Sequence, residues 1–324
     1  MNAASRPHDG PAAALLRQLS PADAAFLDGA QRPFPQTPRE TTSPLRMMSR
    51  REAIRSQPSL LINGCGRSGT HALVGLLRRN GVSALHEGHG REATVGWPYV
   101  GRLEASWKEY WPMSNQPHGT DVHDPIFKVH RNPLTAIRSI ASGLTSSGAC
   151  RNPSERRWDA RAWNCATRFI PLPMVSRGAI DAQLTCKLGS TIRLSLALHY
   201  WVKWNLLADR WATQSFAVET VTVDQVMASW CHHCATAKTC KCPAVAAEFL
   251  ARWELNHSST GRVGAMGAAP RTALRTGERV RARKGHGSNA KRQRKPLTWA
   301  ELNLVDTNMT QVAQRLAKEY GYDA

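Results

Sequence analysis

The chain has 324 residues, of which 43 are Lys or Arg and 24 are Asp or Glu, so its formal net charge is +19. Its apolar fraction of 42%, with eleven Trp, excludes a chain that is disordered throughout. It has no apolar run long enough to cross a membrane, and its first residues lack a secretory pattern. We therefore expect a cytosolic protein or, if this N-terminus is incomplete, one of the Golgi lumen.

Residues 1–57 are rich in Pro, Ala, Arg and Ser and predict a flexible lead-in, whereas residues 58–324 predict one α/β domain. The domain opens with the apolar run Ser59–Asn63, which is typical of a buried parallel strand. A glycine-rich turn, Gly64–Thr70, follows it, and His71–Arg79 then has helical spacing. Strand, glycine-rich turn and helix in this order are typical of a phosphate-binding α/β domain.

A second strand–turn–helix unit follows along the chain. Ile126–His130 predicts a strand, Arg131 to Pro133 a turn, and Leu134–Ala141 a helix. Pro133 suits the first helical position, where a missing N–H costs nothing. Two such units predict a parallel sheet flanked by helices.

The later elements are an amphipathic helix, a strand and a helical tail. Ile192–Trp211 carries Leu and Trp at helical spacing and predicts a helix packed on the sheet, and Ser215–Val223 alternates like a strand. Trp299–Tyr322 predicts a helical end, with a capping box formed by Thr298 and Glu301.

Two segments, 145–190 and 225–285, predict insertions or a lid on the substrate side. The second begins with four cysteines: Cys231, Cys234, Cys240 and Cys242. They suit disulfides in an oxidising compartment, a zinc site or free thiols, and the spacing does not decide among these. N-glycosylation sequons at Asn256 and Asn308 agree with a lumenal setting.

The glycine-rich turn at Gly64–Thr70 differs from a nucleotide-binding Walker loop in one informative way. Its glycines are spaced as in such a loop, but Thr70 and His71 follow Gly69 where Lys and Ser or Thr would stand. Backbone N–H groups and a helix N-terminus can still bind phosphate, and Arg67 adds a charged donor. The loop therefore predicts an anionic nucleotide bound without Mg²⁺.

The run L-I-N-G-C-G-R-S-G-T-H at Leu61–His71 resembles the 5′-phosphosulfate loop of sulfotransferases, whose donor is 3′-phosphoadenylyl sulfate (PAPS). The resemblance implies a three-layer, P-loop-type parallel sheet flanked by helices, with a substrate-side insertion. It also implies that the donor is bound by Gly66, Arg67, Ser68, Gly69, Thr70 and His71.

Arg131 and Ser139 strengthen this resemblance, because sulfotransferases bind the donor's 3′-phosphate with an Arg at a strand end and a Ser eight residues later. Here the spacing is the same. Arg also suits a phosphate dianion, since its guanidinium offers a fork of donors.

The basic stretch 271–295 resembles the C-terminal 3′-phosphate loop of the family. It holds ten Lys or Arg and one Glu, and a solvated basic loop is the alternative interpretation. Arg283 to Gly285 is similar to the triplet of cytosolic members, and Asn289–Arg294 is similar to the loop of bacterial and carbohydrate-directed relatives. We favour the second, which gives Lys291, Arg292 and Arg294 as donor-binding residues.

Sulfuryl transfer needs a general base, which in sulfotransferases is a His or a Glu. Glu87, just after the first helix, is the first candidate and His86 the second; the alternative is that both merely shape the donor pocket. Arg67 is expected to stabilise the leaving phosphate. Lys128 would do the same, unless its position within a strand turns its side chain away.

The resemblance thus implies a sulfotransferase that moves a sulfuryl group from PAPS to an acceptor hydroxyl, releases 3′,5′-ADP (PAP) and requires no metal. The positive charge suits an anionic donor and a small-molecule or glycan acceptor. A P-loop kinase is the enzymatic alternative, and a non-catalytic nucleotide- or nucleic-acid-binding relative is the other. Residues 271–295 lack interleaved aromatics for base stacking, so no nucleic-acid partner is expected.

Overall fold

The computed structural model describes residues 59–86, 92–96, 123–143, 189–209, 212–237 and 296–324, with a few positions between 240 and 248. The predicted lead-in, the segment 145–188 and most of 225–285 lie outside the described residues. The two basic segments at 283–285 and 289–294 lie outside them as well.

In the described part of the chain, a five-stranded parallel sheet forms the centre of the fold, which confirms the predicted α/β class. Its strands are β1 (Ser59–Gly64), β2 (Ala84–His86), β3 (Ala93–Gly96), β4 (His123–His130) and β5 (Gln214–Ala217). Their order is β2-β3-β1-β4-β5, and every neighbouring pair is parallel. The strands β1 and β4, both predicted from the sequence, therefore lie side by side within the sheet.

Six helices whose bounds lie in the described part of the chain surround the sheet. They are α1 (Thr70–Arg79), α2 (Pro133–Gly143), α3 (Ser190–Asp209), α4 (Val223–Ala237), α5 (Trp299–Asn303) and α6 (Thr307–Glu319). The predicted helices after β1 and β4 are confirmed, and α2 begins at Pro133 as expected. The last predicted strand was too long, because the chain leaves the sheet at Ala217 and α4, which was not predicted, begins at Val223.

The predicted helical tail consists of two helices rather than one. The capping box at its start is confirmed: the Thr298 Oγ accepts a hydrogen bond from the Glu301 N–H at 3.2 Å. The Glu301 carboxylate in turn accepts one from the Thr298 N–H at 2.9 Å. The second helix starts because the Asp306 carboxylate accepts a hydrogen bond from the Met309 N–H, which caps a new N-terminus.

Helices cover both faces of the sheet. Leu61 and Ile126 pack into a cluster with α2, α3, α5 and α6, whereas Leu60, Ile62 and Phe127 pack into a cluster with α1 and α4. Successive residues of a strand point to opposite faces, so adjacent apolar residues in β1 serve the two clusters in turn. This explains why β1 reads as an unbroken apolar run.

Helix α3 is buried on all sides over its second half, so its predicted amphipathic character is wrong there. Every residue from Tyr200 to Ala208 is buried, including the polar Lys203 and Asn205. The helix lies against β1 and β4 on one side and against α2, α5 and α6 elsewhere. Its Leu and Trp pattern marked one apolar face, but neighbouring helices cover the rest. Despite its length, neither α3 nor any other described helix has the apolar character that crossing a bilayer requires.

The four clustered cysteines form two disulfides, Cys231–Cys242 and Cys234–Cys240, with Cα atoms 4.6 and 4.9 Å apart. Cys231 and Cys234 lie one turn apart on α4, so their sulfurs are on the same side of the helix. The bonds tie the end of α4 to the segment that follows it. Of the alternatives left open by the sequence, the structure has the disulfides.

Candidate functional site

The strand order places a topological switch point, where a crevice is expected, at the carboxyl ends of β1 and β4. The chain leaves β1 through α1 toward β2 on one side, and leaves β4 through α2 and α3 toward β5 on the other. In open parallel sheets, ligands bind where neighbouring connections diverge in this way. The glycine-rich turn after β1 and the turn after β4 both lie at this point.

The backbone of the glycine-rich turn is held tightly between β4 and the end of β5. A Cβ at Gly64 would lie 2.9 Å from the Val129 side chain, and one at Gly69 would lie 2.6 Å from Val218. Gly69 also has φ 86°, a left-handed conformation that suits glycine. These two glycines therefore let the loop pass close to both strands.

Helix α1 begins at this loop without a side-chain cap. Gly69 occupies the N-cap position, where no side-chain hydrogen bond is made. The first N–H groups of a helix have no acceptor within the helix, and this end carries a partial positive charge. Such an end is a ready binding site for an anionic oxygen.

Arg67, Arg131 and Ser139, all predicted from the sequence, come together at the crevice. The Arg67 Nε donates a hydrogen bond to the Ser139 Oγ at 3.1 Å, and the Arg131 Nη1 donates one to the Arg67 carbonyl at 3.4 Å. Ser139 thus contacts Arg67 rather than Arg131. Among the described residues, neither arginine forms an ion pair with a carboxylate. Two uncompensated cations at one point favour an anionic ligand.

His86 ends β2 and lies beside the first turn of α1. Its Nε2 is 3.0 Å from the Thr70 Oγ, and its ring meets the His71 ring edge-on with centroids 5.0 Å apart. Burial, together with the nearby charges of His71 and Arg78, lowers the pKa of His86 to about 4. The imidazole is therefore neutral at pH 7 and positions the Thr70 hydroxyl. Glu87, the first candidate for the base, lies outside the described residues.

Tyr200 on α3 contacts the glycine-rich loop, a role that was not predicted from the sequence. Its hydroxyl accepts a hydrogen bond from the Gly66 N–H at 3.2 Å, across 134 residues of sequence. Next to it, burial raises the pKa of the Cys65 thiol far above its usual range, so that the thiol stays protonated. A tyrosine among the polar residues of α3 carries no local signal for a contact with the loop.

Lys128 is fully buried and engaged in a cluster with α3 and the C-terminal segment. Its ammonium donates hydrogen bonds to the Asp209 carboxylate at 2.6 Å, to the Asn205 carbonyl at 3.3 Å and to the Tyr320 hydroxyl. Burial lowers the pKa of Lys128, whereas Asp209 raises it. Of the two residues expected to stabilise a leaving group, only Arg67 is thus exposed to a ligand.

The remaining predicted ligands, Lys291, Arg292 and Arg294, lie outside the described residues. Within the described part of the chain, no three His, Cys, Asp or Glu side chains group in a way that suits a metal ion. Comparison of the chain with protein-family models, with curated proteins and with solved structures finds no match.

Proposed function

We propose that this protein is a sulfotransferase, which moves a sulfuryl group from PAPS to the hydroxyl of a small-molecule or glycan acceptor. The observation that supports it most is the meeting of Arg67, Arg131 and Ser139 between β1 and β4, with no carboxylate paired to either arginine among the described residues. The sulfotransferase resemblance includes these three residues, of which Arg67 and Ser139 are 72 positions apart in the sequence.

The fold proposed for this activity is a P-loop-type sheet with a substrate-side insertion. Its support is the parallel order with β1 inside the sheet, a glycine-rich turn at the carboxyl end of β1, and a helix that starts directly from that turn. The same arrangement brings two separate turns to one edge, where an extended anionic ligand would contact both.

The described residues fit a donor with two anionic groups. The uncapped start of α1 and Arg67 suit a 5′-phosphosulfate, and Arg131 suits a 3′-phosphate. Ser139 lies within reach of Arg67, so the two anion sites are neighbours. Lys291, Arg292 and Arg294 are proposed to complete the 3′-phosphate site.

The donor, when bound, supplies the sulfuryl group and a phosphate leaving group. Arg67 is proposed to stabilise the charge on the leaving phosphate through its guanidinium. Glu87 is proposed to take the proton from the acceptor hydroxyl. His86 is the second choice, because a pKa of about 4 makes it a weak base and its Nε2 is already engaged with Thr70. No residue requires a metal ion for these steps.

A P-loop kinase is the second candidate and has less support. Its loop lysine would stand in the first turn of α1, which here carries Thr70 and His71. A non-catalytic nucleotide- or nucleic-acid-binding relative is the third candidate.

Thermal unfolding with three ligands separates these candidates. We expect 3′,5′-ADP to raise the Tm with EDTA present, because its binding would depend on arginines and backbone N–H groups rather than on Mg²⁺. Stabilisation by ATP with Mg²⁺ alone would indicate a kinase, and stabilisation by single-stranded DNA alone would indicate a nucleic-acid-binding protein.

Arg131→Ala tests the proposed 3′-phosphate site. We expect the Kd for 3′,5′-ADP to rise by roughly 10- to 100-fold, the loss of a charged hydrogen bond, while the Kd for 5′-AMP changes much less. Isothermal titration calorimetry measures both. The control is Arg138→Ala, which removes the same charge from α2 one residue before Ser139. Equal losses for the two nucleotides would rule out this assignment of Arg131.

A further inference from the structure

A chain of hydrogen bonds joins the C-terminal segment to the turn after β4. The Tyr322 hydroxyl donates to the Glu219 Oε2 at 2.9 Å, and the Glu219 Oε1 accepts from the Asn132 N–H at 2.9 Å. Both oxygens of Glu219 are therefore engaged. Asn132 directly follows Arg131 and caps α2, since its side chain accepts a hydrogen bond from the Thr135 N–H at 3.2 Å.

Two tyrosines fix the C-terminal segment in this position. The Tyr320 ring stacks on His130 at a centroid distance of 4.4 Å, and the Tyr322 ring meets the same imidazole edge-on at 5.6 Å. The Tyr320 hydroxyl also binds Asp209 and Lys128. The C-terminal segment thus contacts β4 at Lys128 and His130. Tyr322 also lies near Arg131.

Glu219 is the carboxylate that follows β5, which ends at Ala217, and it contacts the turn after β4 through Asn132. The N–H of the neighbouring Val218 donates a hydrogen bond to the His130 carbonyl at 2.8 Å, and the Val218 side chain packs against Gly69. Arg131 lies close enough to Tyr322 to affect its ionisation, as Glu219 also does. Even so, among the described residues no ion pair joins Glu219 to Arg131.

From this geometry we infer that Tyr322 is a positioning residue: it holds the Glu219 carboxylate away from Arg131, so that the guanidinium remains available to an anionic ligand. A free Glu219 would form an ion pair with Arg131 and compete with that ligand. This inference rests on the proposed function for the identity of the ligand, the 3′-phosphate of 3′,5′-ADP, but not for the restraint on Glu219.

The test uses Tyr322→Phe, which removes only the hydroxyl. The Tyr322 hydroxyl lies 3.2 Å from the His130 Nδ1 as well as contacting Glu219. We expect the Kd for 3′,5′-ADP to rise by roughly 3- to 10-fold, the effect of losing these two polar contacts and gaining one competing charge, with a smaller change for 5′-AMP. Adding Glu219→Gln should restore the Kd to within about twofold of the wild type, because a neutral amide does not compete for Arg131 while its oxygen still accepts from the Asn132 N–H. A purely structural role for Tyr322 predicts no such rescue.

A crystal structure of the Tyr322→Phe protein without ligand supplies a readout that does not depend on the activity. We expect the Glu219 carboxylate within ion-pair distance of Arg131, and an unchanged Glu219 would overturn the inference. Failure of the double variant to recover affinity would overturn it too. If the wild-type protein does not bind 3′,5′-ADP, the proposed function fails, while the crystal structure still decides the question of Glu219. Asp323→Asn, an exposed neighbouring carboxylate, is the control and should change neither readout.

Discussion

Two cations near the end of β4, only three residues apart, have opposite surroundings. Lys128 is fully buried, and Asp209, the Asn205 carbonyl and the Tyr320 hydroxyl surround its ammonium. Arg131 is partly exposed and lies beside the exposed Arg67, with no carboxylate paired to either in the described part of the chain. The buried cation is fully compensated by the protein, whereas the exposed pair is left to be compensated by something else.

The difference follows from the cost of charge in each environment. An ammonium removed from water is tolerated only with a counter-charge and hydrogen bonds, which is why Lys128 has Asp209. Two guanidinium groups at the surface are hydrated, so their proximity costs little, and an arriving anion interacts favourably with both. The buried charge of Lys128 is thus satisfied within the fold, and the exposed charges of Arg67 and Arg131 are not.

Asp209→Asn removes the carboxylate that pairs with the buried Lys128 and should change the free energy of unfolding the most. We expect a loss of about 3 to 5 kcal/mol in the free energy of unfolding, measured with urea, because the Lys128 ammonium would remain buried without its anion. In the double variant Lys128→Met with Asp209→Asn, most of that loss should disappear, since no charge is left in the core. Equal losses in the single and double variants would mean that the ion pair does not dominate the cluster.

The pH dependence of the free energy of unfolding tests the surroundings of His130, which lies between Lys128 and Arg131 in the sequence. Burial, with the Lys128 charge, lowers the pKa of His130 from 6.5 to about 3. Between these values the unfolded state binds more protons than the folded state, so stability falls as pH decreases below 6.5. The expected fall from pH 7 to pH 5 is about 2 kcal/mol from this residue. Urea unfolding at both pH values measures it.

The matched comparison for this acid effect is His130→Asn against His232→Asn, an exposed histidine on α4. We expect the first variant to lose about half of the dependence on pH, because the pKa of His86 is also lowered, to about 4, and its share remains, and we expect the second variant to keep all of the dependence. The same dependence in both would contradict the assignment to His130.

Arg67→Gly tests the exposed cations and should change the free energy of unfolding the least. Arg67 has φ 71°, and no other non-glycine residue in the described part of the chain has a positive φ. Since this conformation costs a side-chain-bearing residue about 1 to 2 kcal/mol, glycine should raise the free energy of unfolding by about 0.5 to 1 kcal/mol while the affinity for 3′,5′-ADP falls.

Arg67→Ala separates strain from charge, because alanine keeps the unfavourable φ and loses the guanidinium. We expect it to lose affinity without the gain in stability. A gain as large as that of Arg67→Gly would show that charge repulsion, not backbone strain, sets the effect.

The elements that sequence patterns predicted well are those with local signals. The apolar run of β1, the glycine-rich turn, Pro133 and the Thr298–Glu301 capping box each determine structure within a few residues. The patterns failed where burial depends on distant neighbours. Helix α3 is buried all round because other helices cover its polar side, and the C-terminal tail divides at Asp306, whose carboxylate also pairs with His199 on α3 at 2.8 Å.

The candidate site divides in the same way. Arg67, Arg131 and Ser139 were predicted from the resemblance to sulfotransferases, and the structure brings them together. Tyr200 and Tyr322 were not predicted as site residues, because their contacts span 134 and 103 positions. No spacing rule covers such distances.

The sequence by itself determined the parallel α/β class, the glycine-rich turn after β1, and the arginines expected to meet an anion. Apolar periodicity, glycine placement and charge are local properties, and they act before the chain has folded. Only the tertiary structure decided that Lys128 belongs to the core and Arg131 to the crevice. That outcome depends on which side of β4 is covered by α3 and the C-terminal segment, and hence on where a charge can be hydrated and where it must be paired.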